Sequence, residues 1–306
     1  MQGNWNDFRG RLIARANSSG NLLLINGESN DLPNTAVTLK NGARACAWTT
    51  NGTFELGGLS GDKGTYLMGS SKKEKTFKCL WKVGAANTDE QFDGIINNFD
   101  CSGADRGGTT SIEKVGTGAW RLTGANVYKG TTTVSGGTLI VDGNNSGTGA
   151  FTVKSGATLD GIGSIAAAVK FESGSTLQAG SVLTTGKSLN FKGKVTLNSN
   201  VTLKVGDGTI VTAPAANTSY KVFTPTASIS GTFAAIVPAT PGEGLSWDTS
   251  QLYSKGILKV VGATAVKGVT DATSAPDDAY YSLQGQRVRP TAKGIYLTKG
   301  KKVLRR

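Results

Sequence analysis

Histidine is missing altogether: the 306 residues hold none. That removes the commonest general acid–base and the commonest metal ligand together, so neither a Ser-His-Asp machine nor a His-bearing zinc site is available. Cysteine is nearly as scarce. Cys46, Cys79 and Cys101 contain no CxxC pair, and an odd number cannot pair fully within one chain. Two readings stay open for them: small buried apolar groups, or an approach of Cys79 to Cys101. No run of 18 apolar residues exists, so no membrane span is expected. The opening MQGNWNDFRGRL has no apolar leader segment, and in a chain that otherwise looks exported Met1 reads as an internal start. Acid is missing after Asp278, where Arg287, Arg289, Lys293, Lys299, Lys301, Lys302, Arg305 and Arg306 follow. The net charge is +12, but the chain has no nucleic-acid motif or aromatic–basic stripe, and no nucleic-acid partner is expected.

What the chain has in excess is glycine, 43 of 306 residues and about twice the usual share. Aromatic residues are only 7%, so a core must be narrow and built from small side chains. One phrase recurs: Ser135-Gly-Gly-Thr-Leu139, Ser155-Gly-Ala-Thr-Leu159, Ser173-Gly-Ser-Thr-Leu177. Its leucines fall 20 and 18 residues apart. A short fixed period marks a solenoid, in which each repeat buries its apolar face only against the next. Thr, Val and Ile dominate and alternate with polar residues, the pattern of half-buried strands. Glycines interrupt every few residues, where a coil must turn with φ > 0. A coil of this length, with short strands and tight corners, predicts a rung of a parallel β-helix; an ordinary β-sandwich is the alternative. Leu139, Leu159 and Leu177 are expected in one interior column.

The stretch GTGAWRLTGANVYKGTTTVSGGTL, Gly116 to Leu139, resembles the autotransporter-associated β-strand repeat. That resemblance implies a right-handed parallel β-helix in secreted or surface-displayed bacterial proteins, often a stalk or adhesin-like region. It implies no catalytic residues and no cofactor. Leu32–Leu39 with Leu56–Gly61, and Phe92-Asp-Gly94, resemble upstream parts of the same passengers, and Gly244–Leu252 with Gly256–Val260 resembles their closing element. Tyr280 to Arg306 resembles the C-terminal sorting tail of Bacteroidetes secreted proteins, which implies export by sorting machinery and surface attachment.

The chain therefore divides into residues 1–112, an N-terminal solenoid portion with a truncated start; 113–262, the repeat β-helix with its closing strands; 263–279, a linker; and 280–306, a small β unit of three short strands. The solenoid itself is expected from about residue 10 to 260. Leu22–Ile25, Val37–Leu39 and Phe54–Leu56 read as strands, and Asn26-Gly27, Asn41-Gly42 and Asn51-Gly52 as turns. Lys72 to Lys75 reads as a solvated loop, Asp207-Gly208 as a turn into Ile210-Val211, and the first rung as lacking a cap. Tyr281, Leu283, Val288, Ile295, Leu297 and Val303 are the expected apolar face of the tail.

Chemistry-bearing candidates are few. Asp89, Glu90, Asp93, Asp100 and Asp105 form a loose acidic group, but calcium needs several oxygens converging on one point, and their spacing is not that of a known calcium loop. Asp142 and Asp160, with Arg121 nearby, would be the acids and base of a pectate-lyase-like or hydrolytic site if they shared a column. Each also follows the SGxTL phrase, Asp160 directly and Asp142 after Ile140 and Val141, where a polar corner residue is expected anyway. Trp5, Trp48 and Trp81 are candidate sugar platforms, and Trp247 reads as a cap on the last rung. The expected function is a non-catalytic, secreted or cell-surface β-helical passenger or stalk, with host or microbial surface glycans or proteins as partners. The alternatives are a fragment of a polysaccharide-degrading enzyme and a carbohydrate-binding module.

Overall fold

The structure is a computed structural model. It describes residues 5, 7–17, 22–25, 31–49, 51–70, 76–262, 280–281, 287–288, 294–298 and 301–305. Asn26-Gly27, Lys72 to Lys75, residues 263–279, Leu283, Gly285, Pro290, Lys293 and Gly300 lie outside them. The chain falls into two compact units, Met1–Gly262 and Ala263–Arg306.

The first unit is a parallel β-helix with three sheet faces. The first face stacks Lys78–Val83, Thr109–Lys114, Thr132–Val134, Phe151–Val153, Val169–Phe171, Val195–Leu197 and Ile229–Ser230 in parallel register. The second stacks Glu90–Phe92, Ala119–Leu122, Thr138–Val141, Thr158–Asp160, Thr176–Ala179, Thr202–Val205 and Ala235–Val237. Gly10–Arg15 and Leu32–Lys40 begin this second face. The long strand Asn51–Gly61 runs round the corner, pairing with Lys78–Val83 by its first half and with Leu32–Lys40 by its second, which joins both faces into one 17-stranded sheet. The third face consists of Leu22–Ile25, Arg44–Ala47, Tyr66–Ser70 and Ile95–Ile96, then Asn144–Asn145, Ser164–Ile165, Asn190–Phe191 and Thr224–Pro225. Asn126 bridges its two halves: its Oδ1 accepts the Ile96 N–H at 2.9 Å and its backbone pairs with Asn145.

Side chains alternate in and out, as a pleated strand requires. On the second face Leu139, Leu159 and Leu177 stand directly over one another, fully buried, and the column continues from Trp120 to Leu203 and Ile236. On the first face Phe54, Trp81, Ile112, Thr132, Phe151, Val169 and Val195 make the equivalent stack. Towards the end of the helix Phe171 of the first face meets Phe191 of the third edge-on, and Phe191 meets Phe223 in the same way.

Several expectations need correcting. The 18–20 period holds only from Trp120 to Leu177; 30 residues separate the stacked pair Glu90 and Trp120, and 26 separate Leu177 and Leu203. The longer rungs carry excursions, the loop at 97–107 and the one-turn helix Val182–Thr185. Parallel coiling ends near residue 237 rather than 260. An antiparallel sheet closes the unit, with Ile257–Gly262 between Ser219–Lys221 and Leu245–Asp248. Its Leu258 and Val260 are fully buried and Trp247 packs part-buried beside them, while the last-rung strands Ile229–Ser230 and Ala235–Val237 pair in the ladder only with the rung before them. Asn51-Gly52 opens a strand instead of turning, whereas Asn41-Gly42 does turn, at φ 57° and 79°. Ile210-Val211 forms no strand, and Val211 is 97% exposed.

The second unit is a four-stranded antiparallel sheet, not three strands: Arg287–Val288, Tyr280–Tyr281, Gly294–Thr298 and Lys301–Arg305 in that order. The stretch 280–288 folds back on itself, which one continuous apolar pattern had hidden. Tyr280 and Tyr296 meet edge-on at 6.1 Å, while Ile295, expected on the apolar face, is 41% exposed.

Candidate functional surface

Arg121, Asp142 and Asp160 do come together on the outside of the second face, but not as a column of acids. Asp160 stands opposite Ile140, and Ile140 opposite Arg121, so Asp142 is two residues out of register with Asp160. The rung between them is 20 residues long, set by Thr138 over Thr158, whereas the two acids are 18 apart. Each carboxylate is already occupied. Asp142 pairs with Arg121 through Oδ2 and accepts the Ile162 N–H at 3.1 Å through Oδ1. Asp160 Oδ1 accepts the N–H groups of Gly161 and Gly180 at 2.7 and 3.0 Å. Burial pushes the Asp160 carboxyl above its ordinary range, against the pull of those two N–H donors, with Asp142 adding repulsion. The geometry is that of carboxylates tying one rung to the next.

The acidic group is dispersed rather than convergent. Asp89 accepts the Ala119 N–H at 2.7 Å, and Asp93 accepts Thr123 Oγ1 at 2.7 Å. Asp105 pairs with Lys129 at 3.1 Å. Glu90, nearly buried, receives both Arg11 guanidinium nitrogens, at 2.6 and 3.1 Å. Asp100 is enclosed by its own loop. Burial alone would raise its carboxyl, but bonds from Ser102, Arg106 and Ala104 outweigh it and bring it to about 2. Among the described residues no three of His, Cys, Asp and Glu gather as metal ligands.

The tryptophans separate by burial. Trp81 is wholly inside and donates its indole N–H to the Met68 carbonyl at 2.9 Å, which removes it as a sugar platform. Trp5 packs part-buried against the core, edge-on to Phe8 at 5.7 Å. Trp48 is 46% exposed. Trp247 donates to the Pro238 carbonyl at 2.9 Å and meets Tyr220 edge-on, as a capping aromatic does.

Sequence reasoning missed two features. Lys114 points into the first-face core between Val83 and Val134 and is 1% exposed. Its ammonium donates to the carbonyls of Val115, Gly136 and Gly116 at 2.7, 3.2 and 3.4 Å, and burial lowers its pKa to about 8. A lone lysine in an alternating strand gives no sign of facing inward except its parity with Ile112. The second feature is a disulfide between Cys46 and Cys101, 55 residues apart, which corrects the idea of three unpaired thiols and that of a Cys79–Cys101 approach. Cys79 lies inside the first face, level with Gly52 and Thr110. Burial pushes its thiol up to about 12. Cys46 and Cys101 instead meet outside the third face, which no spacing rule could have told from the other pairings.

The repeat's own residues supply the interior polar chemistry. Tyr128 is buried with its hydroxyl 2.6 Å from Thr132 Oγ1 and accepting from Asn145 Nδ2 at 2.8 Å, at the corner where Asn126 bridges the third face. Residues 112–141, which contain Asn126, Tyr128 and Thr132 of this corner, match the Passenger-associated-transport-repeat family. A stretch of 75 residues is 45% identical to the Adhesin BmaC autotransporter of Brucella suis biovar 1 (strain 1330), covering 24% of this chain and 2% of that protein. One segment of the parallel β-helix thus matches a passenger-type repeat, and the stretch similar to the adhesin is a small part of that protein's length. No helix among the described residues is long and apolar enough to cross a membrane.

Proposed function

We propose that this chain is a piece of a surface-displayed or secreted β-helical passenger, adhesin-like or stalk-like, with no catalysis of its own. The match of residues 112–141 to the passenger repeat carries the reading, because that segment's distinctive side chains are spent on stacking and corner bonds. The adhesin similarity supports the same class. Its partners are then surface glycans or proteins met by outward faces and loops, which in a β-helix are free of the packing demands on the interior. Residues 280–306 act as an address for sorting machinery of the Bacteroidetes type, on the resemblance of their sequence.

The test is adhesion. Beads coated with the full chain should bind host cells or immobilised glycans above beads coated with an unrelated β-helix. The enzymatic alternative rests on the Arg121–Asp142–Asp160 group. Release of unsaturated or reducing ends from a uronic-acid polysaccharide, abolished by Asp160→Asn, would replace the adhesin reading with a catalytic one.

A further inference from the structure

We propose that residues 99–107 form a redox-latched strap on the outside of the third face, closed by oxidation of Cys46 and Cys101 and released by their reduction while the β-helix stays folded. Three observations converge on it. First, the disulfide lies in a hydrophobic cluster separate from the main core: Cys46, Met68 and Cys101, with Leu24, Tyr66 and Phe99 packed against them. Met68 is buried there. Opening the strap therefore costs this small cluster and none of the interior columns.

Second, Asn97 and Asn98 anchor the start of the strap, through the Asn97 N–H to the Leu67 carbonyl at 3.1 Å and Asn98 Oδ1 accepting the Thr110 and Lys129 N–H groups at 3.0 and 2.9 Å, whereas residues 99–107 have their own internal order and few ties to the rungs. Asp100 holds it together through Ser102, Ala104 and Arg106, and Phe99 bridges to Asp105. Over the third face it is fixed by the Gly69 N–H to the Phe99 carbonyl at 3.0 Å and the Cys101 N–H to the Ser70 carbonyl at 3.2 Å. Arg44 adds a bond to the Cys101 carbonyl at 3.3 Å. At its far side Lys129 reaches Asp105 across solvent. A short segment held outside the ladder by a few bonds opens locally far more often than the ladder beneath it. The covalent link is what makes such opening rare.

Third, the remaining thiol cannot interfere. Exchange requires a thiolate, and Cys79 is inside the first face with its thiol held protonated by burial.

Closure removes two electrons and two protons from the Cys46 and Cys101 thiols. They pass to a disulfide donor, either a thiol–disulfide oxidoreductase or a small disulfide such as oxidised glutathione. Opening by dithiothreitol is the reverse, with the reagent's two thiols becoming its cyclic disulfide. In an oxidising exterior the strap is shut and Met68 covered. In a reducing compartment the same chain presents Leu24, Tyr66 and Met68 as an apolar patch on an otherwise folded helix.

The experiment is hydrogen exchange read by mass spectrometry on the full chain, oxidised and after dithiothreitol, with peptide mapping of the cross-link. The proposal expects a Cys46–Cys101 linkage. On reduction the Gly69 and Cys101 amides should exchange at least ~10-fold faster, while ladder amides such as Leu159 stay unchanged. The Cys46→Ala/Cys101→Ala double variant should show the fast exchange without reductant. Unchanged Gly69 and Cys101 exchange would mean the strap is held without its bond. Loss of protection at Leu159 would mean the bond holds the helix itself. A cross-link involving Cys79 would place the disulfide elsewhere. Any of these three overturns the proposal.

Discussion

At the scale of single residues, direction into or out of the coil decides what a side chain is worth. Leu159 is fully buried between Leu139 and Leu177, while its neighbour Thr158 faces outward in a row with Thr138 and Thr176. Leu159→Ala should cost roughly 2–5 kcal/mol of unfolding free energy, the range for a buried leucine. Thr158→Ala should stay within about 0.5 kcal/mol, as for a surface position. Equal effects in urea titrations of the two variants would put the register out by one. Lys114 makes a prediction with a sign. Its pKa in the folded chain is about 8, below the ordinary lysine value of 10.5, so between those values the unfolded state binds more protons and stability rises with pH. The rise is on the order of 3 kcal/mol from the size of the shift, in which burial outweighs the opposing pull of Asp89. Thermal unfolding of the wild type between pH 7.5 and 10 should show this slope relative to Lys114→Met, in which it should be gone. A wild-type slope no steeper than the variant's would mean that the carbonyls fully offset burial.

At the scale of the element, what matters is how closely successive rungs approach at the corners. Gly124, Gly143 and Gly163 lie one above the other where the second face turns into the third. None of them has a positive φ. A Cβ on Gly124 would run into the Gly94 carbonyl oxygen, one on Gly143 into that of Gly124, and one on Gly163 into that of Gly143. These glycines are demanded by backbone contact, not by a left-handed turn, which corrects the sequence-based reason for them. Gly143→Ala should therefore lower stability by about 1–3 kcal/mol through overpacking, measured as a fall in the urea midpoint. An unchanged midpoint would show that the corner relaxes at no cost. The same corner shows what was legible in advance. The SGxTL phrase marked the second-face strands, because a rung that repeats its length repeats its leucine. The rungs before Trp120 and after Leu177 kept the leucine, valine and phenylalanine columns but varied in length, so their boundaries were blurred. The cap was legible as a closing phrase but not as antiparallel, since Leu258 and Val260 alternate like any rung strand. The strap was not legible: its fixed points are a cysteine pairing among three and backbone bonds to Gly69 and Ser70. Of the candidate site residues, Arg121 and Asp142 were rightly brought together. The columnar alignment of Asp142 with Asp160 failed because a shared 18-residue spacing does not hold where the rung is 20 long.

At the scale of the whole molecule, the chain divides into two units that each have a sheet of their own. Met1–Gly262 is compact by itself and ends on its own antiparallel cap, with Leu252, Leu258 and Val260 fully buried. Nothing in that cap requires the tail to complete its ladder, since Ile257–Gly262 has a partner on each side. The tail's sheet is small, and four short strands with an exposed Ile295 give it little core to be stable by. The proposed reading of this unit as an address makes a prediction at this scale. Deleting everything after Pro276 should thus leave the unfolding midpoint of the β-helix within about 1 °C, a shift well below the 2–4 °C that 1 kcal/mol produces in a chain this long. In a Bacteroidetes host carrying the intact secretion route, the same deletion should abolish export or surface retention, read by surface labelling of whole cells. Normal surface amounts of the truncated protein would refute the address. A collapsed midpoint would instead make the tail a structural part of the solenoid, with its lysines and arginines in need of a partner there.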